Sequence, residues 1–195
     1  MLVLTVQEMS CLEYIHTNMT LKQQATQNLL DIKKILDELK IVFWLDAGTL
    51  LGAYRDKDFC EGDEDDVDLC TWSSYLALKE DIVRKAVELG FDLLHEWELE
   101  ICLERGGARV DIFFNGRKGV EAYRHLYSGQ SILRYLVVPA RYYEVLVPCE
   151  FKGETFLVPS PTEEYLELKY GDWRTPIHRN NYSFTMDKLL RETYE

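Results

Sequence analysis

Asp66-Val67-Asp68 closes the stretch "AGTLLGAYRDKDFCEGDEDDVDL" (47–69), where Asp56, Asp58, Glu61, Asp63, Glu64, Asp65, Asp66 and Asp68 crowd against only Arg55 and Lys57. Acids this close repel one another unless water or a cation takes up the charge. On a strand, residues i and i+2 share a face, so Asp66 and Asp68 form a carboxylate pair. Two such carboxylates raise each other's pKa unless a cation holds them. Hard oxygen donors at this spacing suit Mg²⁺ or Mn²⁺, and the alternative is a solvated acidic loop. A calcium loop beginning at Glu64 fails, because the required turn glycine is replaced by Leu69. Upstream, Gly48-Thr49 follows an apolar strand and opens a helix. A glycine there lets an anion approach free backbone N–H groups at the positive end of the helix dipole, and Thr49 adds a hydroxyl. A third acid, Asp111, interrupts the apolar run "ARVDIFF", where an unpaired carboxylate is costly. Either Arg105 or Arg109 pairs with it, or it faces the Asp66/Asp68 pair as a third metal ligand. Two-metal phosphoryl transfer, with ions roughly 3.5–4 Å apart, needs at least three such carboxylates.

These residues have to be held by particular elements. "LKQQATQNLLDIKKILDELK" (21–40) spaces Leu29, Ile32, Leu36 and Leu39 as an amphipathic helix. "IVFWL" (41–45) is a buried strand with Trp44 in the core, and "DVDLCTW" (66–72) alternates as another. "SSYLALKEDIVRKAVELG" (73–90) reads as a helix with a serine cap and Gly90 just past its end. A hairpin turns at Gly106-Gly107 between about 99 and 114. Strands follow at 135–138 and 143–148, with a further hairpin about Gly153. "SPTEEYLELKYG" (160–171) predicts a helix with a Ser160/Glu163 capping box and Pro161 at its first position, and 184–195 predicts a closing helix. The fold class is α/β (α+β): a mixed sheet flanked by helices, with an additional β-rich region and C-terminal helices, in a single domain over 1–195.

Composition bounds the function. With 47% hydrophobic and 12% aromatic residues, the chain is globular rather than disordered. A formal charge of −12 argues against nucleic-acid backbone or an anionic membrane surface as partner. It leaves room for a nucleotide bound through metal ions. The five cysteines (Cys11, Cys60, Cys70, Cys102, Cys149) form no CxxC pair, which points to a reducing compartment rather than a zinc framework or disulfides. No apolar run is long enough to span a bilayer, and the N-terminal stretch lacks the pattern of a signal peptide, so the expected location is cytoplasmic. No Gly-x-Ser-x-Gly nucleophile motif occurs.

"WLDAGTLLGAYRDKDF…DDVDL", "RVDIFF" and "VPSPTEEYLELKYGDWRTP", in this order and spacing over roughly 41–176, resemble the LicD family of bacterial phosphocholine transferases and fukutin-related proteins, within the nucleotidyltransferase superfamily. The resemblance implies a nucleotidyltransferase-like fold, with Asp66, Asp68 and Asp111 as catalytic, metal-binding carboxylates. It puts Gly48 and Thr49 on nucleotide phosphates and matches Arg55 to the arginine after the family's GTLLG. Lys169 lies in the matching C-terminal signature and is a candidate phosphate contact, the alternative being a salt-bridge residue. His178 is a candidate phosphate contact or proton carrier, the alternative being a surface histidine. Where the family usually has Pro-Trp-Asp, this chain reads Gly62-Asp63-Glu64, a departure that bears on the substrate subgroup.

The expected function is Mg²⁺- or Mn²⁺-dependent transfer from a nucleotide donor, either a CDP-linked compound or an NTP, to an acceptor hydroxyl such as a sugar's. The group moved is a phospho-substituent or a nucleotidyl group. Two rivals stand beside it. A DxD-dependent nucleotide-sugar glycosyltransferase ranks lower, because only 65 residues precede Asp66 and Gly48-Thr49 lies just before it. A catalytically silent nucleotide-binding module is opposed by the intact acids at 66, 68 and 111.

Overall fold

The computed structural model describes residues 19–177 and 188–194. Helix α1 (Leu21–Glu38) opens on a capping box, Thr20 with Gln23. It buries Ala25, Leu29, Ile32, Ile35 and Leu36 against strands β2 (Asp66–Trp72) and β5 (Ala108–Lys118). Its buried Asn28 donates to the carbonyls of Arg105 and Ala108 at 2.9 Å each, tying the helix to the turn that leads into β5. Short β1 (Phe43–Leu45) runs antiparallel to β2 and feeds helix α2 (Ala47–Arg55).

Strand β5 organises the sheet. Its first half is parallel to β2 on one side and antiparallel to β4 (Glu100–Arg105) on the other. Its last residues pair with β6 (Glu121–Ser128), and the sheet continues through β7 (Ser131–Pro139) to β10 (Leu190–Arg191). Strand β3 (Asp92–Trp97) pairs with β4, which completes eight strands. A two-stranded hairpin, β8 (Leu146–Phe151) and β9 (Glu154–Pro159), packs β9 against β1. The expected mixed sheet flanked by helices is the architecture observed. Period-two alternation sorts the central strands. Val67, Leu69, Val110 and Ile112 are fully buried in the core, while Asp66, Asp68 and Asp111 between them keep some exposure.

Several elements differ from the sequence expectations. Residues 73–90 divide into a 3₁₀ segment (Ser73–Leu78) and helix α3 (Lys79–Glu88), and no serine side chain caps either. Tyr75 and Leu78, three apart, pack on the core at the 3₁₀ period. Strand β6 was not expected, because its two faces are both partly polar and show no clean alternation. The strand expected at 143–148 begins inside a helical turn, α4 (Arg141–Glu144). Helix α5 (Thr162–Tyr170) starts one residue late, with Pro161 as its N-cap and no capping box. Glu163 turns instead to Arg174. The predicted closing helix over 184–195 lies largely outside the described residues, and the part inside them carries β10. No helix among the described residues is long and apolar enough to cross a membrane.

Gly52 shows how α2 is held. A Cβ at this position would lie 2.4 Å from Asp58 O and 2.8 Å from Cys60 N, so the acidic loop crosses the helix on bare backbone. Backbone cannot swing away as a side chain can, and overpacking of this kind costs about 1–3 kcal/mol. Gly52→Ala is therefore expected to lower the unfolding free energy by that amount, read as a lower urea midpoint at unchanged m-value; an unchanged midpoint would mean that the loop is not clamped here.

Candidate active site

The strand register builds the carboxylate cluster. Asp68 stands directly opposite Asp111 in the parallel β2–β5 pair, with Asp66 two residues away on the same face. One oxygen from each of the three carboxylates lies within 4.8 Å of the others. The bland explanation of Asp111 does not hold. Arg109 donates to Asp66 Oδ2 at 3.1 Å, and Arg105 is engaged with Asp31 and Asn28. Asp111 Oδ1 is buried without a hydrogen-bond partner among the described residues. Removal from water, with Asp66 and Glu100 adding repulsion against a contact from Cys102, pushes the Asp111 carboxyl up to about 6. Asp68 is pushed well above the usual carboxylate range, by loss of water and then by Asp66 and Asp111. Three partly exposed acids, with Asp68 and Asp111 both raised and Asp111 carrying a buried oxygen unmatched among the described residues, fit a divalent cation with hard oxygen preference.

The helix turn lies beside this cluster. Asp46, at the N-cap of α2, gives the helix no side-chain cap, and Ala47 takes φ 44°, so the turn is tight. A Cβ on Gly48 would sit 2.0 Å from Asp63 Oδ2 and 3.8 Å from Asp68 Oδ2. Glycine is what allows the acids and the helix start to meet. The Thr49 hydroxyl points to the strand: it accepts the Asp68 N–H at 2.9 Å and lies 3.5 Å from Asp66 O. Thr49 is thereby a brace for the acidic pair, buried behind the turn.

A cavity of about 610 Å³ opens at the cluster, within the range of small-molecule sites. Asp68, Gly48 and Arg124 form its inner wall, and Arg55, Tyr170 and Trp173 stand on its outer wall. Arg55 forks onto Asp56 at 2.8 and 2.7 Å and donates to Trp173 O at 3.2 Å, which fastens the outer wall to α2. The acidic loop is less solvated than its composition suggests. Glu61 and Asp63 line the cavity, and Asp58 is held by Lys22 and Lys152.

Lys169 lies away from the cavity. It is fully buried, with Nζ 2.8 Å from Asp46 Oδ1. Asp46 also accepts from Tyr165 at 2.6 Å and pairs with Arg124 at 3.2 Å. Burial alone would raise the Asp46 carboxyl, but Lys169 and Arg124 outweigh it and hold the group far below the usual range. His178 lies outside the described residues. Sequence reading missed two residues here. Asp46 was visible as an acid ending the apolar "FWL", whereas Arg124 sits on the unexpected β6. Arg124 is 6% exposed, lines the cavity, packs 4.1 Å over the Phe113 ring, and leaves its Nε without a partner among the described residues.

The chain is 30% identical over 182 residues to ribitol-5-phosphate transferase FKTN of Mus musculus, covering 85% of this chain and 37% of that protein. It is 28% identical over 157 residues to its Homo sapiens counterpart, covering 74% and 32%. The chain thus spans about a third of the length of these curated relatives. Among solved structures, the antibiotic-resistance factor ANT(2'')-Ia matches in its solution structure at TM-score 0.47 and 16% identity, over 69% of this chain and 64% of that one. A family model, described as LicD/FKTN/FKRP, nucleotidyltransferase domain, matches residues 40–161, which contain the turn, the three acids and Arg124. The chain belongs to the LicD/FKTN/FKRP family.

Proposed function

We propose that this chain is a divalent-metal-dependent transferase that moves a phospho-substituent from a CDP-linked donor to a hydroxyl of a sugar-like acceptor. The observation that carries the reading is the Asp66–Asp68–Asp111 cluster, whose Asp68 lines a cavity together with Gly48 of the helix turn. The relatives named as ribitol-5-phosphate transferases favour a CDP-alditol donor over an NTP.

Asp66, Asp68 and Asp111 would hold Mg²⁺, which when bound neutralises charge developing on the phosphoryl oxygens. The Gly48 turn presents backbone N–H groups to the diphosphate, and Arg124 and Arg55 supply positive charge from the two walls of the cavity. The acceptor oxygen forms a bond to phosphorus as the anhydride P–O bond breaks, and CMP leaves with the electron pair. Asp111, beside the metal, would help take the hydroxyl proton. Thr49 and Lys169 act from behind, bracing the acids and the turn.

A thermal-shift screen with Mg²⁺ plus CDP-alditols, CDP-choline and the four NTPs tests the reading. A donor at about 100 times its Kd stabilises the fold by about 2.7 kcal/mol. The CDP-linked compounds should shift Tm only when Mg²⁺ is present. A shift with NTPs alone would turn the reading to nucleotidyl transfer, and no shift with any nucleotide would favour a silent module.

A further inference from the structure

The row of donors does not end at Asp111. In register across β2, β5, β4 and β3, Asp68 stands opposite Asp111, Asp111 opposite Cys102, and Cys102 opposite His95. Directly opposed side chains on one sheet face have Cβ atoms about 4.5–5.5 Å apart, so the four groups form a continuous line. One donor atom each from His95, Cys102 and Asp111 lies within 4.8 Å of the others, as in the carboxylate cluster. Glu100 adds an oxygen 2.9 Å from His95 Nε2. Trp97 stacks on the imidazole at 3.7 Å and 17°, which fixes the ring plane. Cys102 is 1% exposed, while the His95 side chain keeps 27% exposure and leaves a way in from solvent.

This donor set differs in kind from its neighbour. Imidazole, thiolate and carboxylate together suit a borderline-soft ion with tetrahedral preference rather than Mg²⁺. Hydrogen bonding within the group accounts for the His95–Glu100 contact but leaves Asp111 Oδ1 unmatched.

We propose that His95, Cys102 and Asp111, with Glu100 beside them, form a second cation site that takes a thiophilic divalent ion such as Zn²⁺. The Cys102 thiol releases its proton to solvent as the ion binds. Asp111 is common to both clusters, so Zn²⁺ here withdraws a ligand from the Asp66–Asp68–Asp111 cluster and opposes transfer. That consequence rests on the proposed function, whereas ion binding does not.

Metal-free full chain titrated with Co²⁺, read by its near-ultraviolet thiolate-to-cobalt absorption, tests the site. A saturable band that Zn²⁺ displaces is expected, lost in Cys102→Ser, weakened at least tenfold in affinity in His95→Ala, and retained in Asp66→Asn. His95 is partly exposed, so His95→Ala keeps the test decisive if Cys102→Ser fails to fold. No band, or a band that survives Cys102→Ser and therefore arises from another thiol, overturns the proposal. The readout needs neither nucleotide nor turnover. Its failure leaves the transferase reading standing, and absence of any Mg²⁺-dependent nucleotide shift would remove that reading and leave this site standing.

Discussion

On the proposed function, Asp68→Asn is expected to cripple transfer while the protein stays folded. Asp68 faces Asp111 directly, flanks Asp66, and lies 3.8 Å from where a Gly48 Cβ would be, so on the proposed function it joins the acids that would hold the metal to the turn that would hold phosphate. Metal stabilisation of phosphoryl charge supplies several kcal/mol. At about 1.4 kcal/mol per decade, the loss in kcat is on the order of 10²–10⁴-fold. The amide keeps the shape of the side chain and removes one of three mutually repelling charges, so the metal-free unfolding midpoint should stay level or rise. The Mg²⁺-dependent nucleotide shift in Tm should vanish. Activity within tenfold of the parent chain would disprove the assignment, as would a retained shift.

Asp46→Asn gives the largest loss of stability. Asp46 is 1% exposed and lies against two cations, Lys169 at 0% and Arg124 at 6% exposure. Breaking a buried ion pair on one side leaves uncompensated charge and costs about 3–5 kcal/mol, a large part of the roughly 5–15 kcal/mol that holds a domain together. Urea unfolding should show that drop, and the double variant Asp46→Asn/Lys169→Met should recover part of it by removing one stranded ammonium. A cost below about 1 kcal/mol, or no recovery, would mean that the network is solvated and energetically idle.

These two residues also mark what the sequence could tell. Asp66 and Asp68 were readable because strand alternation is a local property, and the expected pairing with Asp111 followed from an acid placed in an apolar run. The strand containing each was legible for the same reason. Asp46 and Arg124 were not singled out, because their meaning is tertiary. An acid after "FWL" is an ordinary strand end until Lys169 and Tyr165, over a hundred residues on, are seen to converge on it. Strand β6 carries Ala122, Arg124 and Leu126 on one face and Tyr123 and His125 on the other, so no hydrophobic period announces it. The capping box at 160–163 failed for a related reason: Glu163 had a better partner in Arg174, which local reading does not see. Lys169 and Thr49 were noticed as polar groups near the right motifs, but which way each points depends on packing.

The two walls of the cavity have different freedom to change. The inner wall is sheet and helix start, where Gly48, Asp68 and Arg124 are held by the register and the tight turn. The outer wall, Tyr170 to Ile177, is a strap leaving α5, whose root is bolted to Asp46 by Lys169 and Tyr165. Arg55 fastens it to α2 at Trp173 O, and Thr175, Pro176 and Ile177 follow beyond that bond. If the proposed function holds, a designer seeking new acceptors, or selection acting on gene duplicates, would have in the end of this strap a place to alter selectivity apart from the acids.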